Sequence, residues 1–220
     1  MAKCSGDNVV LVDMDGVLAD FDAAVLQRLP AMPRVARTHF YIAEDYPQHV
    51  ANVEEITSHP EFFRDLPLIE NALQGWQRMI DAGYRPRICS APLSRNQEAV
   101  RYKLAWLRRH FVPQFGERVV SEAIIDKTKS RYDGLALIDD RPEVDTNNGR
   151  ATWRHIVFDQ PYNKHSRAAL RIRGWEDPNL EDILEAARRN SSRDRKGSNS
   201  SGCINPHLFG PGNEDSPEPL

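Results

Sequence analysis

Val9 to Val12 form an unbroken apolar run, Val-Val-Leu-Val, closed at once by Asp13-Met-Asp15 and Gly16. A short β-branched run bounded by turn residues predicts a strand of a parallel sheet, although periodicity alone leaves a buried helix open. Phe21, Val25, Leu26 and Leu29 then recur at helical spacing until Pro30 and Pro33 stop the pattern. Residues 34–68 show no regular period. They scatter Phe40, Tyr41, Ile42, Tyr46, Phe62 and Phe63 among polar residues and prolines, which predicts short helices. Asn71 to Ala82 reads as a firm helix with Leu73, Trp76 and Ile80 inward and Gly83 as its C-cap. Pro86 to Pro92 predicts a second strand, ending at Ser90, and Gln97 to Phe111 a helix with Val100, Leu104, Leu107 and Phe111 on one side. Its other side carries Arg101, Arg108 and Arg109, a solvated face. Further strands are predicted at Arg118–Ser121, Leu135–Ile138 and His155–Phe158, and a closing helix at Asn179–Arg188 with Leu180, Ile183 and Leu184 apolar.

Strands alternating with helices predict an α/β fold, a parallel sheet with helices on both faces. Residues 21–68 do not look like another βα unit and are read as a small helical insertion over the sheet's edge. The core is then residues 1–20 and 69–189. From Asn190 the composition turns to Ser, Asn, Gly, Pro and charges, so residues 190–220 are expected to be a disordered tail. Its basic start (Arg188, Arg189, Arg193, Arg195, Lys196) reads as a solvated run rather than a contact for an anionic partner.

Composition narrows the classes. With 220 residues, 40% hydrophobic and 28% charged, one main globular domain with an insertion is expected. A net charge of −3 gives no case for a broad nucleic-acid surface. No apolar stretch approaches a membrane span, and the N-terminus has no long apolar signal region. Three scattered cysteines (Cys4, Cys89, Cys203) suggest neither a disulfide framework nor a zinc cluster. A cytoplasmic protein is expected.

Three predicted strands end in reactive side chains: Asp13 and Asp15, Ser90, and Asp139-Asp140. A parallel sheet gathers its C-terminal strand ends, where open α/β sheets bind ligands. Two carboxylates this close need a cation or a shared proton. A hard divalent ion, most simply Mg²⁺, would serve, and Asp139-Asp140 would add oxygen ligands. One carboxylate could attack phosphorus while the other moves a proton. Ser90 could hold a phosphate oxygen, and Lys127 could bring positive charge to the same edge. Each part also has a plain reading: Asp-Met-Asp as an acid-capped turn, Ser90 as a turn residue, Lys127 as solvated, Asp139-Asp140 before Pro142 as a turn. The combination is far more specific than any member.

That combination resembles the haloacid dehalogenase superfamily of phosphotransferases, and within it the pyrimidine-type 5′(3′)-deoxyribonucleotidases. The likeness is carried by Asp13-Met-Asp-Gly-Val-Leu-Ala-Asp-Phe21, Phe62-Phe63, Ile88-Cys-Ser-Ala-Pro92, Lys103-Leu-Ala-Trp106, Asp126-Lys-Thr128, Leu137-Ile-Asp-Asp-Arg-Pro142 and Thr152-Trp-Arg-His-Ile-Val-Phe158. It spans roughly residues 8–185.

The resemblance implies a Rossmann-like core with a helical cap, and an Mg²⁺-dependent nucleotidase acting on (deoxy)ribonucleoside monophosphates. Asp13 would be the nucleophile and Asp15 the acid and base. Asp13, Asp15 through its carbonyl, and Asp140 would hold the metal, with Asp139 supporting. Ser90 and Lys127 would bind phosphate, and Lys103 would contact substrate. Phe21, Phe40, Tyr41 and Ile42 would surround sugar and base, an aromatic lid that suits a flat base. Family members often dimerise, so a homodimer is allowed; no membrane or nucleic-acid polymer partner is implied. Ala91, Thr57 and Ile125 depart from the family pattern, which opens base and sugar preference. The rival readings are a phosphatase of another small phosphoester and a catalytically silent nucleotide-binding or partner-binding protein.

Overall fold

The structure, a computed structural model, describes residues 8–29, 34–146 and 151–198, with side chains as far as Arg189. The first run forms β1 (Val9–Val12). All four of its residues are buried because both faces of the strand are covered. Val10 and Val12 join one apolar cluster with Trp76, Ile88 and Ile138, while Val9 and Leu11 join another with Cys89, Leu137 and Trp153. A fully buried aliphatic side chain contributes about 1.5–3 kcal/mol, so this strand anchors the core out of proportion to its length.

After β1 the chain makes a tight loop and runs outward. Asp20 caps α1 (Phe21–Arg28), its Oδ1 accepting the Ala23 N–H at 2.8 Å. α2 (Ile42–Asp45), a 3₁₀ turn, α3 (Val50–Ser58) and a second 3₁₀ turn (Phe62–Arg64) follow. Two bonds mark the exit and return: Asp20 N–H to Pro67 C=O and Ile69 N–H to Leu18 C=O, both 2.8 Å. We call the segment between them the cap. The indole of Trp106 ties its last residues to the core by donating to Leu66 C=O at 2.7 Å.

α4 (Ala72–Asp81), β2 (Arg85–Ser90), α5 (Ala99–His110), α6 (Val112–Phe115) and α7 (Arg118–Ser121) come next, then β3 (Ile124–Ile125), β4 (Ala136–Asp139), β5 (Arg154–Phe158), β6 (Leu170–Ile172) and α8 (Leu180–Ser198). One six-stranded sheet results, order β3-β2-β1-β4-β5-β6, with every pairing parallel. The chain grows from β1 toward β3 on one side and from β4 to β6 on the other. The crevice between β1 and β4 is therefore the topological switch point, where such sheets place ligands.

Several expectations need correction. Arg118–Ser121 is a helical turn, not a strand: Ser121 and Glu122 N–H bond back to Glu117 and Arg118 C=O, each at 3.0 Å, and Val120 is buried. The strand at that edge is the two-residue β3, and β6 is an additional strand. Ile80 and Val100 are 40% and 41% exposed; Met79 on α4, with Lys103 and Trp106 on α5, fills the inward positions instead. α8 continues to Ser198, so residues 190–198 are helical where a tail was expected, and the remainder of that segment lies outside the described residues. No described helix is long and apolar enough to cross a membrane.

Candidate active site

The loop after β1 sets two carboxylates at the switch point. The Asp13 N–H donates to Ile138 C=O at 2.9 Å, extending the β1–β4 ladder by one residue. Met14 C=O accepts the N–H groups of Val17, Leu18 and Ala19, and Gly16 N–H donates to Ala19 C=O. Gly16 is required: its φ is +73°, and a Cβ there would lie 2.2 Å from Asp140 Oδ2. Gln160 Nε2 holds the Gly16 carbonyl from the far side at 2.7 Å.

Asp13, Asp139 and Asp140 each place a carboxylate oxygen within 4.8 Å of the others, and all three are buried. Lys129 Nζ lies 3.0 Å from Asp13 Oδ2 and 2.5 Å from Asp139 Oδ2. Burial works against the charge of Asp139, but Lys129 outweighs it and holds that carboxyl below its ordinary range. Burial opposes the Lys129 ammonium too, yet Asp13 and Asp139 push its pKa up. Asp140 has no ion-pair partner among the described residues: burial, then Asp139 and Asp13, drive its carboxyl well above the ordinary range. Its Oδ2 accepts from the Tyr162 hydroxyl, and its backbone C=O from Asn163 Nδ2 at 2.8 Å.

Asp15 turns away from this cluster. Its Oδ2 meets Lys103 Nζ at 2.6 Å, while Oδ1 is buried without a hydrogen-bond partner among the described residues. Burial raises the Asp15 carboxyl, with Lys103 pulling against it and Asp13 adding to the rise. Lys103 is fully buried. It also reaches Ser90 Oγ at 3.0 Å and sits 4.8 Å from the centre of the Phe63 ring.

With all four carboxyl groups ionised, two ammonium groups would leave two negative charges uncompensated around this buried space. One divalent cation would balance them. Clustered hard oxygens, with the Asp140 carboxyl raised by burial and by its two carboxylate neighbours, are a donor set that fits a hard divalent cation such as Mg²⁺.

Asp13, Asp15, Ser90, Lys103, Asp139 and Asp140 are thus together. Lys127 is not with them: it is exposed and reaches Ser94 Oγ. Asp126 sets this direction, its Oδ1 accepting the Thr128 N–H and its Oδ2 the Tyr132 hydroxyl, both at 2.8 Å. That turn sends Lys127 outward and Lys129 inward. In the cap, Phe21 packs on Phe62 and Phe63 at 5.2 and 6.4 Å, below Lys103. Phe40 lies 5.8 Å from Tyr162. Ile42 is buried, and Tyr41 is 58% exposed with its ring 5.1 Å from Phe40. Thr57 is buried and bonds Val53 C=O in its own helix at 2.8 Å. Lys129, Tyr162 and Asn163 escaped the sequence reading. The only signal for the last two was Gln160-Pro-Tyr-Asn163 following a strand.

Comparison with known proteins identifies the family. Residues 7–189 match the family model described as 5′ nucleotidase, deoxy (Pyrimidine), cytosolic type C protein. A Bordetella bronchiseptica protein with a provisional 5′(3′)-deoxyribonucleotidase name is 37% identical over 179 residues, covering 77% of this chain and 94% of its own. The human cytosolic-type 5′(3′)-deoxyribonucleotidase is 34% identical over 200 residues, covering 84% and 97%. Among solved structures, a HAD family hydrolase from Deinococcus radiodurans covers 84% of this chain and 96% of its own, with a TM-score of 0.41 and 16% identity. The chain belongs to the 5′ nucleotidase, deoxy (pyrimidine), cytosolic type C family, whose members are phosphoric monoester hydrolases.

Proposed function

We propose that this protein hydrolyses 5′- and 3′-(deoxy)ribonucleoside monophosphates to nucleoside and phosphate, through a phosphoryl group carried on Asp13. The observation that carries the reading is the contrast between two carboxylates two residues apart. Asp13 is ion-paired with Lys129 at 3.0 Å, which suits a nucleophile. Asp15 has a raised pKa and a side chain 27% exposed, which suits a proton donor that later meets water.

In the first step an Asp13 oxygen forms a bond to phosphorus. The bond from phosphorus to the nucleoside oxygen breaks, and that oxygen takes the proton of Asp15. In the second step Asp15, now a carboxylate, takes a proton from water as the water oxygen bonds to phosphorus. The Asp13–phosphorus bond breaks, phosphate leaves, and both carboxyl groups return to their starting states. Ser90 and Lys103 bind the phosphoryl oxygens, and Lys129 takes the part that the family likeness gives to Lys127. Asp13, the Asp15 carbonyl and Asp140 would hold Mg²⁺, with Asp139 supporting through Lys129. The bound ion would supply positive charge against the phosphate oxygens.

Phe21, Phe40, Tyr41 and Ile42 enclose sugar and base in this reading. Ala91, Thr57 and Ile125 leave the preferred base open. We place the protein in the cytoplasm, a reading supported by the cytosolic type of the human relative and by Cys89, a free, buried thiol pushed up to about 12 chiefly by burial. The test is phosphate release from a panel of nucleoside monophosphates and simple sugar phosphates, with Mg²⁺ and with EDTA. Mg²⁺-dependent release favouring nucleotides is expected. Preference for the sugar phosphates would redirect the substrate assignment, and full activity in EDTA would remove the metal.

A further inference from the structure

Four side chains interleave across the seam between the cap and the loops after β4 and β5. The guanidinium of Arg37, from the cap, lies 4.7 Å from the centre of the Tyr162 ring in the core. The guanidinium of Arg141, from the core, lies 4.7 Å from the centre of the Phe40 ring in the cap. Phe40 and Tyr162 meet edge to face at 5.8 Å. Each side thus gives one cation and one ring, and each cation covers the other side's ring.

Arg37 is fixed from several directions. Its side chain is 8% exposed and bonds Asp22 of α1 at 2.6 Å and Asp45 of α2. Two further N–H groups donate to His39 C=O at 2.6 Å and Phe40 C=O at 3.2 Å. Two aspartates beside it balance its charge, so it does not oppose a cation bound beyond Tyr162.

Tyr162 is equally constrained. It lies in a 3₁₀ turn, Pro161–Asn163, whose ends are locked by Gln160 and Asn163. Its buried hydroxyl donates to Asp140 Oδ2. Asn163 Nδ2 donates to Asp140 C=O and to Phe158 C=O, both at 2.8 Å. Side chain and main chain of Asp140 are therefore gripped by consecutive residues, and Gly16 closes the remaining side.

We propose that Tyr162 is a positioning residue that fixes the Asp140 carboxylate for the cation, and that Arg37 extends this hold into the cap, making cap segment 34–46 and the cation site one cooperative unit. The inference rests on the Mg²⁺ reading of the site. Like-charged carboxylates splay apart when no ion is bound, and re-gathering them weakens binding. A neutral hydroxyl holds one of them in place without competing for the ion's role. Such outer partners of metal ligands are typically worth about 10–100-fold in metal affinity.

The test is direct binding of Mg²⁺ to metal-free protein by calorimetry, paired with hydrogen exchange. Tyr162→Phe should raise the Mg²⁺ dissociation constant by about 10-fold or more, and raise the Mg²⁺ concentration for half-maximal rate by the same factor. In EDTA it should still unfold in one sharp transition, so that the weaker Mg²⁺ affinity reports the site and not a lost fold. Arg37→Gln should weaken Mg²⁺ binding in the same direction. In the unsubstituted protein, Mg²⁺ should slow exchange of the amide hydrogens of residues 37–46, a readout that needs no variant to fold. Unchanged Mg²⁺ affinity in Tyr162→Phe would overturn the positioning role. Exchange in residues 37–46 indifferent to Mg²⁺ would overturn the link to the cap. Failure of the unsubstituted protein to bind Mg²⁺ would instead strike the metal reading itself, and this inference with it.

Discussion

At the scale of single residues, the site works by giving neighbouring carboxylates unlike surroundings. Lys129 partners Asp13 and Asp139, Lys103 partners Asp15, and Asp140 is left with a hydroxyl and no cation. This makes Lys129, not Lys127, the lysine to test. Lys129→Met should reduce phosphate release by at least about 10²-fold, the scale of losing one preorganised charge partner, while Lys127→Ala should stay within about threefold of the original. Equal loss in both variants would contradict the assignment. The Asp140 environment gives a second prediction. A carboxyl with a raised pKa holds its proton more tightly folded than unfolded. Its contribution is therefore favourable at low pH, and is lost as pH rises from the ordinary carboxylate range through the raised value. At pH 7 without metal, Asp140→Asn should melt higher than the original protein, and the gap should narrow toward pH 4. Mg²⁺ should raise the melting temperature of the original and not of the variant; equal stabilisation of both would remove Asp140 from the metal site. Asp13, Asp15, Asp139 and Asp140 were legible in the sequence because each closes an apolar run, and such runs end at the sheet's ligand-binding edge. Lys129 was not, because Lys127-Thr-Lys129 offers two equivalent cations and only the Asp126 turn decides between them.

At the scale of elements, the loop between β1 and α1 is the most demanding piece. Gly16 has left-handed backbone angles, and any Cβ there collides with Asp140 and the Tyr162 hydroxyl. Gly16→Ala should cost about 1–3 kcal/mol in backbone strain alone and displace Asp140, so activity should fall more than stability does. A Gly16→Ala variant with normal turnover would mean that the loop tolerates an opening the structure does not show. β1 and β4 could be read from sequence because both faces of each are covered, which writes a continuous apolar run. β3 could not, since two residues carry no period, and β6 (Leu170–Ile172) is three residues long with Arg171 at its centre and Arg173 directly after it, which hides its apolar positions. Arg118–Ser121 misled because a β-branched pair fits a helical turn when one side chain, Val120, has a pocket against α5 and its neighbours. The closing helix outruns its apolar residues: Ala187 is the last buried position among its residues with described side chains, and the sequence of residues 190–198 holds no large apolar residue. A chain ending at Asn190 should therefore melt within about 4 °C of the full length, the shift that roughly 1 kcal/mol produces at this size. A larger drop would show that residues beyond Asn190 support the core.

At the scale of the whole molecule, an all-parallel sheet with its switch point between β1 and β4 gathers residues from four separate stretches of chain. The cap, leaving and returning beside that point, covers the gathered charges with rings. Each layer depends on the one beneath: the apolar runs build the sheet, the sheet places the carboxylates, and two buried lysines pair with three of them. Asp13 and Asp15 divide the labour in the proposed reaction, and rapid-quench labelling with radioactive phosphate separates their roles. With p-nitrophenyl phosphate, whose leaving group needs little protonation, Asp15→Asn should still take label onto the protein and then release it slowly. General acid–base help is typically worth about 10²–10⁴-fold, so the slow release should be measurable. Asp13→Asn should take up no label. A burst of labelled protein is expected in Asp15→Asn and none in Asp13→Asn; label on Asp13→Asn at the level of the original protein would mean that another group attacks phosphorus.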